Sequence, residues 1–253
     1  MKSSNQIKIE VRFTASQSDE MSLKDKNVVV IDVLRACTTV AAALAHGAKE
    51  IIPVNSIESV VKISGNLFGD VTLRAGERNG KIIEGFSLGN SPGEYDETVV
   101  KGKSIIYITT NGTPAIVKGR HSKNLVLGSF VNLTRVVEFL RGLNDDVVIV
   151  CSGHEGRFCI EDAVCAGRMV SRIQETFSGK VVTDDAGVAA VALDKNIGKG
   201  LLKMLRNSEH GQYLSELGFA DDLKICSGVD TIPVLPVLSG SVLRAFNENS
   251  IQR

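Results

Sequence analysis

The segment Val28–Gly47, VVVIDVLRACTTVAAALAHG, constrains the fold more than any other stretch of the chain. Val28–Ile31 is an unbroken β-branched run, the pattern of a strand buried on both faces. Asp32 closes the run, and Val33–Cys37 is a short crossing that carries Arg35. Thr38 and Thr39 then open a small-residue helix, Val40–Ala45, which ends at Gly47. A buried strand, a polar turn and a helix start, in that order, form the ligand-binding edge of an α/β sheet. The strand tip offers a carboxylate, and the helix start offers unpaired N–H groups to an anion. The same residues also suit a plain capped helix with Asp32 and Arg35 paired to each other.

The rest of the chain narrows the class. With 253 residues there is enough chain for one large α/β domain or two small ones. Lys plus Arg and Asp plus Glu balance at 29 each, and no basic stripe exists, so nucleic acid is not an expected partner. No apolar run approaches the roughly 20 residues that cross a bilayer, so no membrane partner is expected either. The opening MKSSNQIKIEVRFTASQSDE lacks a signal-peptide core, and a cytoplasmic location is the expectation. Five cysteines, Cys37, Cys151, Cys159, Cys165 and Cys226, are odd in number and lack C-x-x-C spacing. They read as reduced thiols rather than disulfides or a zinc site.

Strands are expected at Ile7–Phe13, Val28–Ile31, Lys49–Val54, Val71–Ala75, Ser104–Ile108, Leu125–Phe130 and Val147–Val150. Helices are expected at Ile57–Ile63, after Thr113-Pro114, at Leu133–Leu143, at Ala163–Ile173 and at Asp184–Asp194. Thr14–Asp25 reads as a polar loop, Gly198–Leu205 as amphipathic, and HGQYLSELGFADDLKICSG as one short helix with a loop. This alternation predicts largely parallel sheet with right-handed crossovers. Pro233 and Pro236 predict an edge position for the last extended segment, Asp230–Leu238. The strand–turn–helix unit recurs at Asp32, Thr109 and Cys151, and three such turns suit one shared sheet edge.

Several clusters carry candidate chemistry. Thr109–Thr113 places hydroxyls and amides at a helix start, as an anion site or as an ordinary cap and turn. The long irregular stretch after Ala75 carries Glu77, Arg78, Asn90 and Ser91, and long loops inside compact domains tend to be functional. Asp32, Glu77, Glu161 and Asp162 are candidate hard-oxygen ligands for Mg²⁺, although Glu161-Asp162 also suits a helix start by charge alone. Cys151 to Arg157 is a literal C-x5-R, the arrangement of cysteine-dependent phosphatases, with Ser152 and Gly153 in its loop. Of the histidines only His154 lies in such a loop; His46, His121 and His210 read as helix-end or surface residues. Neither a P-loop nor a dinucleotide glycine motif occurs.

The ordered motifs IDVLRACTT, AGERNGKIIEGFSLGNSP, TTNGT, GSFVN and CSGHEGRFCIEDAVCAG resemble the 2-phosphosulfolactate phosphatase family of coenzyme M biosynthesis. The match runs from Val28 to Gly167, with a looser echo in HGQYLSELGF and DTIPVLP. Two departures stand out. LRACTT has Cys37 where the family commonly has serine, and Arg157 is not a fixed family feature, which counts against C-x5-R chemistry. The resemblance implies a Mg²⁺-dependent acid phosphatase that converts (R)-2-phospho-3-sulfolactate, or a related 2-phospho acid, to 3-sulfolactate and phosphate. It also implies two α/β domains, with largely parallel or mixed sheets and the active site in the cleft between them. They are expected at 1–122 and 123–253, with about 229–253 as a segment that returns to the first.

Such a substrate carries three anionic groups, which Arg35, Arg78, Arg157 and the helix starts can meet. The expected binding set is Arg35, Thr38, Thr39, Arg78, Asn90, Ser91, Thr110, Asn111, Gly112, Thr113, Ser152 and Gly153. Arg35 is assigned to the phosphate and Arg78 to the sulfonate or carboxylate. Asp32, Glu77 and Cys151 are the candidate catalytic residues. Asp32 is the first choice for metal ligand or water-orienting base, and a covalent role for Asp32 or Cys151 stays open. The alternatives are a cysteine-dependent phosphatase and a non-catalytic binder of small organic anions. The oligomeric state is open, a homodimer included.

Overall fold

In the computed structural model, residues 6–66 and 71–247 are described. In chain order the elements begin with β1 (Gln6–Arg12), α1 (Glu20–Leu23), β2 (Asn27–Ile31), α2 (Ala36–Ala45), β3 (Glu50–Pro53) and α3 (Ile57–Asn66). They continue with β4 (Thr72–Arg78), β5 (Lys81–Ile82), α4 (Glu97–Val100), β6 (Ser104–Ile108), α5 (Gly112–Lys118) and β7 (Asn124–Gly128). Then follow α6 (Leu133–Leu143), β8 (Val147–Cys151), α7 (Ile160–Thr176), β9 (Lys180–Thr183) and α8 (Asp185–Ile197). The chain closes with α9 (Leu201–Asn207), α10 (Glu209–Glu216), α11 (Ala220–Cys226), β10 (Pro236–Ser239) and β11 (Val242–Ala245). The fold is α/β, with one mixed sheet of eleven strands in the order β5-β4-β6-β3-β11-β10-β7-β2-β8-β1-β9.

The apolar run of β2 is explained by burial on both faces. Val29 and Ile31 pack with α6 and α7 residues such as Val136 and Met169, whereas Val28 and Val30 pack with Val40 of α2 and Ile116 of α5. Neither face has room for a polar side chain, which is why alternation is absent. In β1, by contrast, Ile7, Ile9 and Val11 are buried while Gln6 and Lys8 are exposed, as its alternating sequence predicts. Helix α2 has every residue from Ala36 to Leu44 buried, and its alanines let the helix sit close against its surroundings.

Strands β7, β2, β8, β1 and β9 form one parallel block, and β3, β6 and β4 form another. Between them stands the antiparallel hairpin β10–β11, joined to β7 through Val237 and Val126 and to β3 through Leu243 and Ile51. Three successive antiparallel pairings make the two blocks run in opposite directions. In a flat sheet their carboxyl-terminal ends would lie at opposite edges. Here they meet: the Glu155 amide, beyond β8, donates to Asn111 Oδ1, beyond β6, at 2.9 Å. The sheet is therefore not flat, and one residue pair joins the hairpin to each block.

Several expectations need correction. The last extended segment lies at the centre of the sheet, not at an edge. Pro236 is tolerated because it is the first residue of β10, where a missing N–H costs little. Helix α2 starts at Ala36, two residues before Thr38, because Asp32 supplies both a carboxylate for Ala36 N and a carbonyl for Cys37 N. Helix α5 begins at Gly112, so Thr113 is inside it, and its hydroxyl donates to the Thr109 carbonyl at 3.1 Å. Strand β4 runs on to Arg78 and pairs with β5, so part of the expected irregular loop is a short hairpin. The polar loop after β1 contains α1, and the expected single helix after Ser208 is two, α10 and α11. No helix among the described residues is long and apolar enough to cross a membrane.

Helices α7 and α8 approach closely at Gly167, where a Cβ would stand 2.0 Å from the Ala190 carbonyl oxygen. Gly167→Ala is expected to destabilise the protein by about 1–3 kcal/mol in denaturant unfolding, despite alanine's better helix propensity. Gly142→Ala, on α6 with nothing within 4 Å, should instead be neutral or stabilising by about 0.5–1 kcal/mol.

Candidate active site

Where the blocks meet, a pocket is walled by Asp32, Arg35, Glu77, Asn90, Thr110 and Asn111 from the strand ends, and by His154, His210 and Tyr213 from later in the chain. Asp32 is 5% exposed; its Oδ1 accepts from Ala36 N at 3.0 Å. Its Oδ2 faces Gly112, where a Cβ would lie 2.7 Å away. Only glycine lets the start of α5 approach the carboxylate this closely. Burial pushes the Asp32 carboxyl up to about 6, and the Glu77 charge adds to the rise. The positive field of His210, the Ala36 amide and the Ser152 hydroxyl pull it back in part.

Two further carboxylates fasten the turns. Glu77 Oε1 accepts from Thr110 N at 2.6 Å, and Oε2 accepts from Gly80 N at 2.8 Å and Thr110 Oγ1 at 3.1 Å. Asp162 Oδ1 accepts from Val33 N at 2.9 Å, and Oδ2 accepts from Ser152 Oγ at 3.1 Å and Gly153 N at 3.2 Å. Asp162 thus ties the loop after β2 to the loop after β8 from behind the pocket. Burial, with the charges of Asp32 and Glu161, holds its carboxyl well above the ordinary range.

Arg35 follows a cis peptide from Leu34 and is 2% exposed. Its Nη1 donates to Asp222 Oδ2 at 2.7 Å, its Nη2 to the Gly80 carbonyl at 3.0 Å, and its guanidinium lies 4.2 Å from the Phe219 ring centre. Asp222 Oδ1 accepts from Ser91 Oγ at 2.6 Å. Arg35 is therefore not paired with Asp32. Its partner comes from α11, 187 residues further along the chain.

The sequence-predicted residues divide into three groups. Asp32, Arg35, Glu77, Asn90, Thr110 and Asn111 line the pocket. Thr38, Thr39, Ser91, Gly112, Thr113, Ser152, Gly153 and Asp162 brace it: Thr38 Oγ1 donates to the Val33 carbonyl at 3.0 Å, and Thr39 Oγ1 to the Asn90 carbonyl at 2.9 Å. Arg78, Cys151 and Glu161 are not on its wall. Arg78 turns back, its Nη1 donating to the Glu77 carbonyl at 3.2 Å. Cys151 is fully buried at the end of β8, and burial pushes its thiol well up, so it is no thiolate near neutral pH. Arg157 is exposed and pairs with Glu155 and Glu209.

Sequence reasoning missed His210, Tyr213, Phe219 and Asp222. All lie on α10, α11 or the turn between them, far from the strand-end motifs, and nothing local marks them as site residues. The available signal was the HGQYLSELGF stretch, which holds three of the four.

The carboxylates on the pocket wall suit a hard divalent cation. Mg²⁺ takes oxygen ligands and usually needs only one or two carboxylates, with water and substrate oxygens completing its shell. Asp32 and Glu77 fit that need, and Asp32 has Oδ2 outside the bond to Ala36. Among the described residues, no group of three or more His, Cys, Asp or Glu side chains converges to hold an ion by protein ligands alone.

The raised Asp32 value has a stability consequence. The native state retains a proton that the unfolded chain releases at the ordinary 3.8, so this group costs stability as pH rises from there to about 6. In metal-free protein at about pH 7.5, Asp32→Asn is expected to gain about 1–3 kcal/mol in denaturant unfolding. The gain should vanish below the ordinary carboxylate value, where Asp32 is neutral in both states. An equal gain at both pH values would refute it.

A family model described as 2-phosphosulpholactate phosphatase matches residues 13–241. A probable 2-phosphosulfolactate phosphatase of Caldanaerobacter subterraneus subsp. tengcongensis is 39% identical over 235 residues, 93% of this chain and 97% of the relative. Relatives with the same printed name from Carboxydothermus hydrogenoformans and Thermotoga maritima are 40% identical over 234 residues and 37% identical over 217. They cover 91% and 86% of this chain and 92% and 91% of their own lengths.

Proposed function

The chain belongs to the 2-phosphosulfolactate phosphatase family, and from that premise we propose that it hydrolyses (R)-2-phospho-3-sulfolactate to 3-sulfolactate and phosphate with Mg²⁺ as cofactor. The observation that carries the reading is the Asp32 carboxylate in the pocket, buried and lifted to about 6. A carboxylate held that high by burial is stabilised in its charged form by a cation placed beside it.

Phosphoryl transfer passes through a loose, metaphosphate-like transition state, so the protein's work is positioning and charge stabilisation. Asp32 and Glu77 are the residues to hold Mg²⁺, which when bound supplies charge neutralisation at the phosphoryl oxygens. Glu77 also keeps the Thr110 amide and the Gly80 turn in place. Arg35 is oriented by Asp222 and Gly80 before substrate arrives, so little ordering is left to its binding step. Asn90 and Asn111 offer amide groups on the wall to the substrate's other oxygens. Arg78 would have to leave the Glu77 carbonyl to reach a sulfonate.

The buried, high-value Cys151 gives no support to a cysteine nucleophile. A metal-free anion binder is disfavoured by the carboxylates on the wall, which repel anionic substrate unless a cation intervenes.

Purified protein is expected to release phosphate from 2-phosphosulfolactate, to lose that activity in EDTA and to regain it with Mg²⁺. Full turnover in EDTA by protein shown to be metal-free would remove the cofactor assignment, and no release from any 2-phospho acid would remove the substrate class. Cys151→Ser should keep kcat within roughly tenfold of wild type, a difference of about 1.4 kcal/mol. A loss of several decades would restore the cysteine mechanism.

A further inference from the structure

At the pocket wall stands a histidine–carboxylate pair that the reading above does not use. His210, in the first turn of α10, places Nδ1 3.1 Å from Glu161 Oε1, at the start of α7; the side chains are 11% and 1% exposed. The His210 ring lines the same pocket as Asp32. With Nδ1 committed to Glu161, the ring nitrogen left for the pocket is Nε2. A second imidazole, His154, packs on His210 with ring centres 4.2 Å apart and planes tilted by 30°.

Glu161 is unusual in what it lacks. Its Oε2 is buried with no hydrogen-bond partner. The start of α7 favours a negative charge there, but it accounts neither for an unpartnered oxygen nor for the bond to His210. Burying a carboxylate with one oxygen unmet is a poor device for docking α10 onto α7, which a neutral amide could do. It is a good device for keeping a proton on the far side of an imidazole, as an orienting carboxylate does for a catalytic histidine. Burial holds the His154 imidazole below its ordinary value, and the neighbouring His210 adds to that.

We propose that Glu161 and His210 form a proton-delivering dyad, in which Glu161 positions His210 through Nδ1 and Nε2 protonates the oxygen leaving phosphorus. This rests on the phosphatase reading and deepens it. Water forms the new O–P bond while the ester P–O bond breaks. The water's proton passes to solvent, and the Nε2 proton of His210 passes to the departing alkoxide. Hydrolysis ends with His210 neutral, still donating Nδ1–H to Glu161, and exchange with solvent restores the starting state. An alkoxide is a poor leaving group, so this proton bears directly on kcat. Glu161 is the positioning residue, since it reaches the substrate only through His210.

The test compares wild type, His210→Gln and Glu161→Gln on 2-phosphosulfolactate carrying ¹⁸O in the bridging position, with ¹⁵N NMR of His210 in the wild type and in Glu161→Gln. His210→Gln is expected to lower kcat by roughly 10²- to 10⁴-fold with KM nearly unchanged. Glu161→Gln should lower it by at least about tenfold. In both, the bridging-oxygen isotope effect should grow, because the oxygen departs with less proton transfer. The wild-type spectrum should show protonated Nδ1, and Glu161→Gln should shift it. An unchanged isotope effect in an active His210→Gln, or an unprotonated Nδ1 in wild type, would overturn the dyad. If Glu161→Gln alone folds, its kcat, isotope effect and spectrum decide the matter. Wild type that turns over no 2-phospho acid would overturn the phosphatase reading itself and the delivery step with it.

Discussion

The cost of burying negative charge governs this structure. Asp32, Glu77, Glu161, Asp162 and Asp222 are all 6% exposed or less, and they are the only buried carboxylates among the described residues. One buried arginine, Arg35, stands among them. Each buried charge demands partners, and a cluster of like charges raises the demand. The chain meets it with backbone amides and hydroxyls: Glu77 and Asp162 each accept three hydrogen bonds from turns that follow or flank strands. Glu77 and Asp162 therefore fasten the turns around the pocket. Burial is what keeps Asp32 high, and the Glu77 charge adds to it.

The sheet is built to bring these groups together. Two parallel blocks of opposite sense place their carboxyl-terminal ends apart in a flat sheet, and here the loops beyond β8 and β6 meet through Glu155 and Asn111. The helices α9 to α11 then complete the wall. Asp222 orients Arg35, Phe219 lies over its guanidinium, and Tyr213 OH donates to the Asn79 carbonyl at 2.8 Å. A site formed this way depends on contacts between the two ends of the sequence, so changes in α10 and α11 act on groups nearly two hundred residues away.

The sequence by itself determined the elements whose cause is local. β2 needed only its apolar run, since nothing but burial on both faces suits VVVI. Asp32, Glu77, Thr110 and Asn111 were legible because they end or follow strands, and strand ends are where α/β sheets bind ligands. The family was legible from motif order. What the tertiary structure alone decided is partnership. Arg35 sits three residues from Asp32, yet its charge goes to Asp222, because α11 brings a carboxylate into its fork and the Asp32 oxygens are turned toward Ala36 and Gly112. Cys151 matches a catalytic motif by spacing, yet its place inside the sheet denies it water and charge. Pro236 looked like an edge marker, but the hairpin gave it a strand-start position in the centre. His210 has no local signature, and only the packing of α10 on α7 joins it to Glu161. Spacing along a chain reports which groups share a turn. Hydrogen bonds and desolvation, which choose a group's partner and its charge, depend on which distant segments fold against it.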